Sequence, residues 1–188
     1  MVYLMKKIHF SLLIITLVFC NYPYANDLSS LTIKKFSPDI WNVITFTRPG
    51  ALSYRAGINA KQVSQKSSLF LDFSPLYNCS PDTIIVKRYI GNGEASDIPF
   101  LRVYYRINKE KVSSTLSQPK IDHGFLFLSL NTLTIKDLLD EGDKGNISVW
   151  IDPKSISSTN NNNRMFFSLN GFPEAYNRAI QTCKDHQQ

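Results

Sequence analysis

The stretch Arg164–Lys184, RMFFSLNGFPEAYNRAIQTCK, constrains the fold most. Met165, Phe167 and Leu169 alternate onto one face, the period of a half-buried strand. Asn170-Gly171 breaks that strand. Pro173 suits the first helical position and Glu174 suits the positive end of a helix dipole. Phe172, Tyr176, Ala179, Ile180 and Cys183 then share one helical face, which needs a sheet to cover it. A chain ending this way must place a helix with a buried cysteine over β-structure.

The rest of the chain says which β-structure. Of 188 residues 43% are apolar, enough for one domain with a core. With 12 Phe and 9 Tyr, the composition favours strands. Strand patterns run over Ile40–Thr47, Ala51–Ala56, Ser68–Phe73, Thr83–Ile90, Leu101–Ile107, Gly124–Leu130, Asn146–Asp152 and Arg164–Leu169. Ile40–Thr47 is apolar on both faces, so both are expected to be covered. Leu101–Ile107 alternates most cleanly, with Arg102, Tyr104 and Arg106 opposite the apolar side. Thr132–Glu141 fits a short helix capped by Thr132 or Thr134 and ended by Gly142. Asn59–Ser68, Lys109–His123 and Ser155–Asn163 read as polar loops. The predicted fold is mainly β: an antiparallel β-sandwich of about seven or eight strands with a short helix and a C-terminal helix.

The N-terminus carries Lys6 and Lys7, the apolar run Phe10–Phe19 and the small exit residue Ala25. That is the grammar of a secretory signal peptide, and the run is shorter than the ~20 residues a spanning helix needs. The expected organisation is a signal peptide at 1–25, a flexible lead-in at 26–37 and a β-sandwich domain at 38–188. Cleavage would remove two lysines and no acid, taking the net charge from +6 to +4. The expected location is periplasmic or secreted. Cys79, between two prolines, and Cys183 are the cysteines left after cleavage. An oxidising compartment allows them to pair, and two free buried thiols are the alternative.

No catalytic constellation stands out. His123 follows Asp122 but no nucleophile signature lies near any serine, and His186 sits near the chain end. Asp137, Asp140, Glu141 and Asp143 cluster where a short helix meets solvent, and Gly91-Asn92-Gly93 lacks the rest of a phosphate loop. Neither metal nor cofactor is expected. The candidate binding face is Lys87, Arg88, Arg102, Tyr104 and Arg106, a basic surface with an aromatic in it if their strands are neighbours. It would suit an anionic glycan, a lipid headgroup or an acidic partner. Export and mild charge disfavour nucleic acid.

The order of features resembles a known type. A strand with Trp41 comes first, then LFLDFSPLYNC, then the Arg102–Ile107 strand, and the chain closes on F-S-L-N-G-F-x-x-A-x-x-x-A-I-x-x-C from Phe167 to Cys183. This resembles small periplasmic proteins of the invasion-associated locus B family and the accessory periplasmic proteins of type VI secretion clusters. The resemblance implies a Gram-negative envelope β-sandwich without an enzymatic centre, supporting secretion, assembly or host-surface interaction through an envelope or secreted protein partner. A periplasmic immunity or inhibitor protein is the alternative, with Ser155–Asn163 or Gly91–Pro99 as the plug.

Expressed with its own N-terminus in a Gram-negative host, the protein is expected outside the cytoplasm, starting near Asn26. N-terminal sequencing checks this; an intact N-terminus on cytoplasmic protein overturns it.

Overall fold

A computed structural model describes residues 36–48, 51–61, 66–81, 83–91, 100–152 and 164–187, with the side chains at 47, 48 and 51 excepted. The signal-like segment and the loop at 155–163 lie outside the described residues.

The described chain forms an antiparallel β-sandwich of two sheets. The strands are β1 (Asn42–Arg48), β2 (Ala51–Asn59), β3 (Ser67–Phe73), β4 (Ile85–Tyr89), β5 (Leu101–Ile107), β6 (Ser113–Ser117), β7 (Lys120–Asp122), β8 (Phe125–Ser129), β9 (Asn146–Ile151) and β10 (Arg164–Ser168). The helices are α1 (Ile135–Glu141) and α2 (Phe172–Asp185). One sheet has six strands in the order β1-β2-β3-β4-β8-β7; the other has four, β10-β9-β5-β6. Ten strands exceed the expected seven or eight because the polar stretch Lys109–His123 supplies β6 and β7. Both are short, and each ends a sheet, where one side needs no partner.

Inward-facing alternation builds the core. Leu69, Leu71 and Phe73 of β3 meet Leu101, Val103, Tyr105 and Ile107 of β5 and Ile147, Val149 and Ile151 of β9 in one buried cluster. Outside the six-stranded sheet lies a smaller cluster of Phe36, Ile44 and Phe70, so β1 is covered on both faces. Phe36 lies against Gly57, where any Cβ would come within 2.5 Å of its ring. Phe36 and Ser37, expected in the loose lead-in, are therefore docked: their carbonyls accept hydrogen bonds from the side chain and backbone of Asn59.

α2 lies along β2, with further contacts to β1 and β3. Its start needs Gly171, which has φ +74° and would drive a Cβ into Ile40. Trp41 locks the preceding turn: its indole N–H donates to the Ser168 carbonyl at 2.8 Å and its ring packs edge-on against Phe172 at 4.7 Å. At the other end Cys183 is joined to Cys79, with S–S 2.11 Å and Cα–Cα 5.7 Å. Asp137 and Thr134 cap α1 reciprocally, so of the two candidate caps it is Thr134 that serves.

The bridge closes a loop of 104 residues. Removing it as Cys79→Ser with Cys183→Ser is expected to lower unfolding free energy by about 2–5 kcal/mol. Urea unfolding measures the loss, and non-reducing peptide mapping should show the two cysteine peptides linked. Two alkylatable thiols in the native protein would refute it.

Candidate functional site

The five residues expected on one basic face do not share it. Lys87 and Arg88 belong to β4 in the six-stranded sheet; Arg102, Tyr104 and Arg106 belong to β5 in the four-stranded sheet. Lys87 and Arg88 are also adjacent in a strand and so point to opposite faces. The expected patch is therefore split.

Lys87 points outward yet is fully buried. Its ammonium lies 4.0 Å from the Phe125 ring centroid and 5.7 Å from that of Phe127. Arg55 behaves similarly: it forms a two-pronged pair with Asp72 at 2.5 and 2.7 Å and lies 3.8 Å over the Phe70 ring. Desolvation lowers the Lys87 ammonium to about 8, Arg55 pushes the same way and Asp122 opposes them. These cations are enclosed by the fold rather than offered to a ligand.

The outer face of the four-stranded sheet is different. One register row runs Arg164, Trp150, Tyr104, Ser114 across β10, β9, β5 and β6. The Arg164 guanidinium lies 4.2 Å over the Trp150 ring, and Trp150 stacks on Tyr104 with centroids 5.8 Å apart and planes 15° from parallel. The next row holds Phe166, Ser148 and Arg106. On the other side, Arg102 pairs with Leu116. Apart from buried Ser148, these side chains are exposed or half-buried. Arg106 Nε is buried without a hydrogen-bond partner among the described residues. Such an orphan donor costs about 1–3 kcal/mol. Three of the five residues thus come together, and Trp150, Arg164 and Phe166 join them. The latter were legible as the outward positions of NISVWI and RMFFS, had those strands been read for both faces.

The weaker candidates are accounted for locally. His123 sits in the β7–β8 turn at φ +47°, its Nδ1 2.6 Å from Asp122. His186 Nδ1 faces the Thr182 carbonyl at 2.8 Å. Asp137 caps α1, Asp143 accepts from the Gly171 amide at 2.9 Å and Glu141 accepts from the Asn108 amide. Among the described residues no group of His, Cys, Asp or Glu is placed to hold a metal ion. Both proposed plug loops lie almost wholly outside them. No described helix is long and apolar enough to cross a membrane. Compared with family models, curated proteins and solved structures, the chain matches none.

The buried lysine yields a pH test. Below pH 8 native and unfolded chains both hold the proton, and the native state bears the full desolvation cost. Between about 8 and 10.5 the native state loses it first, so stability rises with pH. Tyr54 and Tyr176, raised above 10.0 by burial, act with opposite sign beyond pH 10. Urea midpoints should therefore rise from pH 8 to 10, and Lys87→Met should flatten the rise. A wild-type curve that is flat or falling there would contradict the assignment.

Proposed function

We propose that this chain is an exported, non-enzymatic envelope protein that acts by binding, supporting secretion, assembly or host-surface contact through an envelope or secreted partner. The observation that carries the reading is the outward stack of Arg164, Trp150 and Tyr104, flanked by Arg102, Arg106 and Phe166. Aromatic rings and arginines are the side chains that dominate recognition surfaces. A rigid sheet holds them in fixed register, so little ordering is needed on binding. The signal-like N-terminus, the bridged cysteines and the resemblance of Phe167–Cys183 to periplasmic accessory proteins support the envelope setting.

A photo-crosslinking residue placed at Leu116, which is 55% exposed at the edge of this face, tests the reading in cells. A discrete envelope-protein adduct is expected there and not from Lys136 on α1, and Trp150→Ala should abolish it. The same adducts from both positions, or none from Leu116, would remove this face as the surface that binds a protein partner.

A further inference from the structure

The stack that begins at Arg164 stops one strand short of the sheet edge. Trp150 occupies the ring face of Tyr104 turned towards β9. The opposite ring face turns towards β6, where the register partner is only Ser114. A small hydroxyl thus stands where the row of flat groups would continue. Val112 and Leu116, in step with Ser114 two residues away on either side, are 42% and 55% exposed. Arg102 and Arg106 flank Tyr104 on the same strand. Arg102 Nη1 reaches the Ser114 hydroxyl at 3.4 Å, which brings its charge to the open end of the row. Arg106 brings the buried Nε that has no acceptor among the described residues.

We propose that this end of the sheet face binds an acidic polysaccharide, with one sugar ring laid on Tyr104 above Ser114 and the carboxylate or sulfate groups of the chain held by Arg102 and Arg106. Three features set that chemistry. An aromatic ring that is not fully buried takes the C–H face of a sugar as it takes another flat apolar surface. Guanidinium groups match carboxylate and sulfate oxygens in two-pronged geometry. Arg102 and Arg106 are four residues apart on one strand, about 13 Å, which is longer than one sugar ring and so fits successive units of a polymer. The proposal rests on the reading of this face as the binding surface, but not on a protein partner.

The chain carries its own reporter. Of its two tryptophans, Trp41 is 3% exposed and Trp150 lies half-buried beside Tyr104. The mature protein is titrated with oligogalacturonate and with heparin-derived oligosaccharide, and separately with neutral dextran oligosaccharide and single-stranded DNA of matched charge. Tryptophan fluorescence is the readout. A saturable change is expected with at least one acidic saccharide, and the two acidic arms tell carboxylate from sulfate. Tyr104→Ser should weaken it roughly tenfold, the size of one aromatic contact. Arg106→Gln should weaken it and reduce its salt dependence. Lys136→Gln should leave it unchanged, and thermal unfolding verifies that each variant is folded. Equal response to neutral dextran, tighter binding of DNA, or no response to either acidic saccharide would overturn the proposal. A specific adduct at Leu116 without saccharide binding would overturn it while leaving the protein-partner reading standing.

Discussion

The structure depends on a mismatch of width. A six-stranded sheet faces a four-stranded one, and the inner side of β1 to β3 would be left open to water. α2 covers it. Phe172, Ala175, Ala179 and Cys183 are all buried, and Tyr176 packs edge-on against Phe73. A helix of 14 residues is marginal alone, so its burial holds it rather than the reverse. Both ends are therefore fastened. Trp41 fixes the turn that launches the helix, by an indole hydrogen bond and a ring contact, and the bridge to Cys79 fixes the last turn. Contacts from a residue near the start of the domain and from mid-chain thus converge on its end, and the loose C-terminus becomes the lid of the core.

How much of this was legible follows from what each segment buries. β5 was read to the residue because one of its faces is apolar and the other polar, so sequence period and sheet period coincide. α1 was nearly as clear: a cap at Thr132 or Thr134 and a stop at Gly142 are written in the sequence, while the part Asp137 plays in the cap is added by the structure. β6 and β7 were not. SSTLS and KID bury little, and what makes them strands is the neighbour each pairs with: Thr115 opposite Val103, Ile121 opposite Leu126. No local pattern carries that information. The site divides the same way. Arg102, Tyr104 and Arg106 sit together because they lie on one strand. Lys87 and Arg88 could not join them, since that required knowing which strands pair. Trp150 and Arg164 become part of the site only through β5–β9 and β9–β10 register.

The two outer faces use the same residue types to opposite ends. On the six-stranded sheet Arg55 and Lys87 lie over Phe70, Phe125 and Phe127 with almost no exposure, and Arg55 has its carboxylate in Asp72. The cost of desolvation is visible in the lowered Lys87, and what offsets it is enclosure by rings and neighbours. Phe36 adds to that enclosure from outside the sheet, so this face is internally complete.

On the four-stranded sheet the arginine–aromatic arrangement is only partly closed. Arg164 has its ring in Trp150, and Trp150 has Tyr104, but Tyr104 has a serine where the next plate would stand. A structural stack would be expected to finish with a side chain large enough to cover its last ring. This one ends on a small hydroxyl beside two arginines, one of them holding a buried donor without an acceptor among the described residues. A half-exposed ring and a donor without an acceptor lower stability or add nothing to it. The difference between the faces is thus not composition but completion: one is closed by its own side chains, while the other keeps its rings and arginines in a fixed register with the last place in the row unfilled.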